Sequence, residues 1–131
     1  AILTLITTLL LPDFKRVHDS YKLKVSALEL AQNIQLLQQR AIAEGVSWRM
    51  VFSDTNKDSY QMVQGFTAKR TKLPPGVLIQ HNSFANNTLE FNPSGAPDKG
   101  GHITIANYTK PLYVIISVAT GRVSISDTPP L

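Results

Sequence analysis

The chain has 131 residues, of which 43% are hydrophobic and 17% are charged, and it contains seven glycines, eight prolines and no cysteine. This composition fits one globular domain and excludes a disulfide-stapled scaffold and a thiolate metal centre. Thirteen Lys and Arg against nine Asp and Glu give a net charge of +4, which permits an anionic partner but which solubility alone would also explain.

The first segment, Ala1 to Leu11, carries no charge and is followed by Pro12 and Asp13. A bilayer-spanning helix needs about twenty apolar residues, so this segment is half a span. It is either a short buried helix of a soluble domain or the second half of a membrane helix of which about ten residues precede Ala1. We favour the second interpretation, because an exposed segment of this kind would be an aggregation-prone apolar patch.

The next segment, 13–44, has the pattern of one long helix, since it lacks Gly and Pro and is rich in good helix formers. Gly45 is suited to cap its end. Pro12 predicts either a kink or local unwinding around Thr8 to Pro12, or simply the first turn of a helix that begins near Asp13.

Two apolar stripes, offset from one another, follow this helix. The C-terminal stripe predicts a face that packs against the rest of the domain, and it consists of Leu23, Ala27, Leu30, Ile34, Leu37 and Ala41. The N-terminal stripe consists of Phe14, Val17, Tyr21, Val25 and Leu28. The two stripes indicate different partners, unless both belong to one broad core-facing surface.

After Gly45 the hydrophobic periodicity changes to two, and turn residues separate short runs rich in Val, Ile, Thr, Tyr and Phe. The predicted strands are 47–53, 59–64, 77–80, 88–92, 102–107, 112–118 and 122–126, with Gly121 suited to a tight hairpin before the last one. A helix followed by strands without crossover helices predicts an α+β fold, with a long N-terminal helix packed on antiparallel sheets. Seven strands predict two small sheets or one strongly bent sheet. We therefore divide the chain into 1–12, a part of a membrane or filament helix, and a single domain 13–131 with a β-rich head at 46–126.

Several stretches carry a family resemblance. The apolar start ends in LLLPDFKR, the helix reads LAQNIQLLQQRAIAEG, and the head contains LPPGV at Leu73 to Val77, LEFNPSGAPDKGGHITI, and VIISVATGRVSIS. With these motifs nearly the whole chain resembles the GspH/FimT family of type IV pilin-like proteins. The resemblance implies a minor pilin or a type II secretion pseudopilin, a subunit that acts by assembly with other pilin subunits. It also implies an anchor in the cell inner membrane, with the head in the periplasm or outside the membrane, and association with a filament after assembly.

Such a subunit needs one helix with two roles, because its first half contacts lipid or neighbouring subunits while its second half packs the head. Pro12 matches the proline that family members carry in the outer half of the membrane helix. The predicted assembly residues are Leu3, Ile6, Leu10, Pro12, Phe14, Val17 and Tyr21. The predicted head-packing residues are those of the C-terminal stripe.

DNA binding is the second function that the sequence permits. The possible nucleic-acid contacts are Lys69, Arg70, Lys72, Lys110 and Arg122. Gly121 and Arg122 resemble the Gly-Arg pair that leads the DNA-binding motif of some FimT-like minor pilins, but Ser124 stands where that motif carries a further charge. The preferred interpretation of the mid-chain cluster, Lys69, Arg70 and Lys72, is a solvated charged loop. Its lack of flanking aromatic residues also argues against base stacking.

The sequence contains no recognised catalytic motif, and we predict no enzyme, no cofactor and no metal site. The three histidines fall in different elements, and His81 and His102 are predicted to be surface or edge residues rather than ligands. Trp48 is predicted to lie in the core. Asp54, Asn56 and Asp58 have the opening spacing of a calcium loop, but the required Gly and Glu are replaced, so we interpret this segment as a hairpin loop. A surface adhesin is a remote alternative function.

Overall fold

The computed structural model describes residues 2–53, 55–107, 110–117 and 122–128, with the side chains of the N-terminal helix described from Val17 onward. This helix, α1, spans Ile2–Glu44. Its end is as predicted: Gly45 has a φ of 66°, and its N–H donates to the carbonyl of Ala41 at 3.0 Å. A positive φ at this position is the usual helix ending, and glycine adopts it without the steric cost that a Cβ would add.

A helix start near Asp13, one of the two interpretations of Pro12, is wrong, because α1 begins at Ile2 and Pro12 lies inside it. Pro12 therefore does not occupy a first turn, and the backbone around Thr8 to Pro12 is not unwound. A proline removes one hydrogen bond of the helical ladder, and the leucine-rich residues before it favour the helix strongly enough to continue it. Within the part of the chain that is described, no helix has the length and apolar character needed to cross a membrane. The division of the chain at residue 12 stays a prediction.

In the described residues, the head contains eight strands in two four-stranded antiparallel sheets. The strands are β1 Trp48–Phe52, β2 Ser59–Gln64, β3 Thr67–Lys72, β4 Leu78–Asn82, β5 Thr88–Phe91, β6 Gly101–Ala106, β7 Leu112–Ile116 and β8 Val123–Ser126, with a short 3-10 turn at Ala85–Asn87. The first sheet has the order β3-β2-β1-β5 and the second β4-β6-β7-β8. The predicted α+β class and the division into two sheets are confirmed.

One strand was not predicted. β3, with the sequence TAKRTK, pairs with β2 from Gln64↔Thr67 to Ser59↔Lys72. The interpretation of this cluster as a charged loop is therefore wrong. Two residues, Gly65 and Phe66, connect β2 and β3. Gly65 has a φ of 58°, and two-residue hairpin turns require such a positive φ at their first position, which glycine adopts readily. The polar sequence concealed the strand, because an edge strand outside the core has no apolar alternation.

The core lies between α1 and the two sheets. All six residues of the C-terminal stripe are buried, none of them more than 1% exposed. The sheets cover this stripe with large apolar side chains, among them Met50, Phe91, Ile103 and Ile116. The head-packing role predicted for the stripe therefore agrees with its burial.

Side-chain hydrogen bonds tie α1 to the head at several levels. The pairs are Lys22 Nζ to the carbonyl of Pro75 (2.6 Å), Asn107 Nδ2 to the carbonyl of Asp19 (2.9 Å), Asn33 Nδ2 to the Tyr60 hydroxyl (2.6 Å) and Gln38 Nε2 to the carbonyl of Gly95 (2.7 Å). Two of these bonds reach the motifs that carry the resemblance, since Pro75 belongs to LPPGV and Gly95 to LEFNPSGAPDKGGHITI. Those motifs therefore dock the head on the helix.

Candidate assembly and nucleic-acid surfaces

The second apolar stripe of α1 faces solvent. Val17, Tyr21, Val25 and Leu28, which we call the outer stripe, are 66%, 65%, 40% and 45% exposed. At 3.6 residues per turn these four side chains fall within an arc of about 80°, centred about 150° from the buried stripe. The alternative of one broad core-facing surface is therefore wrong. The side chains of the other predicted assembly residues, Leu3, Ile6, Leu10, Pro12 and Phe14, lie outside the described part.

The outer stripe continues along α1 as an uncharged ridge. Gln32, Gln35 and Gln39 follow on the same arc and are exposed. The nearest charged residues, such as Lys24 and Glu29, lie on the flanks of the arc. The helix thus presents a surface that is apolar in its first half and carries amides in its second half, which suits packing against another helix better than contact with water.

The mid-chain basic residues lie at the edge of the first sheet. Lys69, Arg70 and Lys72 are exposed on β3. Register pairs Arg70 with Gln61 and Lys69 with the buried Met62, so Arg70 and Lys72 share the outer face of the sheet while Lys69 points to the other face. Among the described residues, the structure contains no ion pair between these three cations and a carboxylate.

The remaining two candidate contacts belong to the second sheet. Lys110 precedes β7 and lines a surface depression with Lys24 and Asp127. Arg122 precedes β8, where its carbonyl accepts a hydrogen bond from the N–H of Ser117 at 2.9 Å. Gly121 lies outside the described residues. The structure therefore separates the five basic residues: three lie on β3 of the first sheet, whereas Lys110 and Arg122 lie at opposite ends of the β7–β8 pair in the second sheet.

An aromatic residue beside the basic strand was not predicted. Phe66, in the turn between β2 and β3, is fully exposed. Its position immediately after Gly65 was the available signal, because a glycine that follows a predicted strand marks a turn, and turn residues face solvent.

The other candidate positions have simple structural roles. Trp48 is buried as predicted, with the Arg40 guanidinium 5.4 Å from the centre of its ring. The segment between β1 and β2 is a hairpin connection, in which the Ser53 hydroxyl accepts hydrogen bonds from the N–H groups of Thr55 and Asn56. Asp54 lies outside the described residues. In the described part of the chain, no group of three or more His, Asp or Glu side chains is arranged to hold a metal ion.

Comparison with known proteins identifies the family. The family model described as type II transport protein GspH matches residues 26–121. The competence protein ComGD of Bacillus subtilis (strain 168) is 28% identical over 128 residues, which cover 95% of this chain and 85% of ComGD.

Solved structures share the fold. The type IV minor pilin FimU of Pseudomonas aeruginosa has a TM-score of 0.66 at 14% identity, covering 82% of this chain and 90% of FimU. The minor pseudopilin EpsH from the type 2 secretion system of Vibrio cholerae has a TM-score of 0.61 at 16% identity, covering 80% and 96%. The family model matches most of the chain, and the chain therefore belongs to the GspH family, as a minor pilin or pseudopilin subunit that acts by assembly with other pilin subunits.

Proposed function

We propose that the outer stripe of α1 is the surface through which this subunit packs against neighbouring subunits in a filament. The observation that carries the proposal is the row of four large apolar side chains, 40–66% exposed, on the side of the helix opposite the core. Contiguous apolar surface on a helix is stabilised when another apolar element covers it. The amide side chains that follow can donate and accept hydrogen bonds across such a contact without the cost of burying a charge.

The sequence Ala1 to Leu11 is uncharged, and its residues from Ile2 onward belong to the same helix. We propose that this segment anchors the subunit in the inner membrane before assembly, with the head in the periplasm or outside the membrane. The support is chemical: the ten residues Ile2 to Leu11 carry no charge and form the first part of a helix in which, among the described side chains, the buried stripe begins at Leu23.

Site-specific cross-linking tests the packing surface. The chain contains no cysteine, so single variants such as Leu28→Cys and Gln35→Cys introduce the only thiol. Gln80→Cys, on an exposed position of β4, is the matched control. We expect Leu28→Cys to form disulfides with cysteines placed on the helices of partner subunits in assembled filaments, and Gln80→Cys to form none.

The opposite outcome would contradict the proposal. If Gln80→Cys cross-linked and both helix variants did not, the head and not α1 would make the main contact. Leu28→Asp provides a second readout. A carboxylate buried in a helix interface should abolish incorporation of the subunit into filaments. The free subunit should stay folded, because residue 28 is exposed in it.

The β2–β3 hairpin favours a second candidate function, contact with DNA. Lys69, Arg70 and Lys72 supply exposed positive charge, and Phe66 supplies an aromatic face on which a base can stack. The similarity to a competence protein over nearly the whole chain supports this assignment. We propose that the hairpin binds single-stranded DNA without sequence preference.

Fluorescence anisotropy with a labelled oligonucleotide tests this second function. Each phosphate neutralised on a single strand contributes about −0.7 to the log-log salt slope, so two or three contacts predict a slope of about −1.4 to −2. Phe66→Ser should weaken binding without changing the slope, whereas Arg70→Ala should flatten it. Arg122→Ala, on the other sheet, is the control. Binding that depends on Arg122 and not on the hairpin would contradict the proposal.

A further inference from the structure

Two histidines that are far apart in the sequence lie side by side on the second sheet. The ring centres of His81 on β4 and His102 on β6 are 5.8 Å apart, with an angle of 50° between the ring planes. Tyr113 on β7 contacts His102 edge-on at 6.4 Å. Thr104, which pairs with both His81 and Tyr113, is only 7% exposed beneath this group.

A bulge in β4 turns His81 towards His102. Ile79 pairs with Ile105 and is buried, and regular alternation would also bury the residue two positions later. The register shifts between Ile79 and His81, so that His81 pairs with Thr104 and is exposed. Bulges commonly re-aim a side chain near a functional site, and here the extra residue brings the second imidazole to the outer face of the sheet.

The spacing fits two ligands of one metal ion. Zinc binds an imidazole nitrogen at about 2.0–2.1 Å, which places the ion about 3.2 Å from the centre of the ring. Two such rings around one ion have centres about 5.2 Å apart at the tetrahedral angle and about 5.8 Å apart at about 130°. Small rotations about χ1 and χ2 of two partly exposed side chains therefore bring both nitrogens to one ion.

We propose that His81 and His102 form a binding site for a late first-row divalent metal ion such as Zn²⁺ or Ni²⁺. Imidazole is a preferred ligand of these ions, and the absence of cysteine from the chain leaves histidine as the strongest donor available. The pKa of His102 is lowered, mainly by burial and further by the neighbouring His81, which favours the neutral form that coordinates metals. The protein supplies two ligands and water completes the coordination shell.

Calorimetric titration of the purified chain with ZnCl₂ and with NiCl₂ tests the site. We expect one ion per chain, and loss of at least about tenfold in affinity in either His81→Gln or His102→Gln, because a single histidine lacks the effective concentration of the second ligand. His18→Gln, which changes the exposed histidine on α1, is the matched control and should bind as the unchanged chain does. MgCl₂, an ion that prefers oxygen ligands, should not compete.

Thermal unfolding provides a second readout. Because the site exists only in the folded chain, the Tm should rise with ZnCl₂ concentration in the unchanged protein and in His18→Gln, but not in the other two variants. Unfolding curves without metal show whether each variant is folded. Zinc affinity that survives in the His81→Gln/His102→Gln double variant, or that is lost in His18→Gln, would overturn the proposal. Failure of filament assembly would have no bearing on it, since the histidine pair is on the head.

Discussion

Replacing Ile34 by alanine removes a side chain with no solvent exposure from the stripe of α1 that faces both sheets. Deleting a buried aliphatic side chain costs about 2–5 kcal/mol, from lost transfer free energy and from the cavity that remains. Neighbouring residues Leu30 and Leu37 are also fully buried, and hydrogen bonds from Asn33 and Gln38 hold the helix in place beside the cavity. The site therefore has little freedom to collapse, and we expect about 3–4 kcal/mol.

For a chain of this length, 1 kcal/mol lowers the Tm by about 3–6 °C, so Ile34→Ala should lower it by about 10–20 °C. Leu28→Ala is the matched control, because it removes a similar number of atoms six residues earlier on the same helix, from a side chain that is 45% exposed. We expect it to change the free energy of unfolding by less than about 1 kcal/mol, since alanine also has the higher helix propensity. Urea and thermal unfolding followed by circular dichroism measure both effects. Equal losses in the two variants would refute the assignment of opposite faces.

Two further predictions concern the head. Gly95 and Gly65 both have positive φ, so alanine at either costs about 1–2 kcal/mol, but a Cβ on Gly95 would also approach Ile42 Cδ1 to 2.6 Å. In chemical denaturation Gly95→Ala should therefore cost more than Gly65→Ala, and Ile42→Ala should reduce the difference; equal costs would contradict the close docking of this turn on α1. Burial is the main reason that the pKa of Tyr60 is raised above 10.0. The folded chain then holds its proton where the unfolded chain releases it, so the free energy of unfolding should fall as pH rises above 10, and urea titrations of Tyr60→Phe should lack this contribution.

The helix and most strands follow from local pattern. The buried stripe repeats every three or four residues for five turns, and tertiary packing reinforces the helical preference that the residues already have. Strands β2 and β5 begin where alternation begins, at Ser59 and Thr88, because their inward-facing side chains are covered by the core. Apolar periodicity is informative wherever one face of an element is buried, and these elements are such cases.

The features that escaped sequence analysis depend on pairing between distant segments. β3 is held by backbone hydrogen bonds to β2 and buries little of its own surface, so its side chains carry no periodic signal. His81 and His102 are neighbours only because β4 pairs with β6 and contains a bulge. The short stretch of sequence around either residue predicts neither the pairing nor the bulge. Pro12 left two interpretations open, a first turn or a break in the helix, because a proline favours both locally; the flanking residues continue the helix through it.

The same stretch of α1 serves the core and the outer stripe, and this has a consequence for assembly. The hydrogen bonds to the head extend from Asp19 to Gln38, and the uncharged ridge extends from Val17 to Gln39. A close-packed core transmits displacement between elements, so the helix and both sheets should move as one body when the ridge packs against a neighbour. The proposed packing at the outer stripe would then fix the direction of the head as well as that of the helix. The β2–β3 hairpin and the histidine pair would therefore take defined orientations in a filament, although neither is part of the proposed contact between helices.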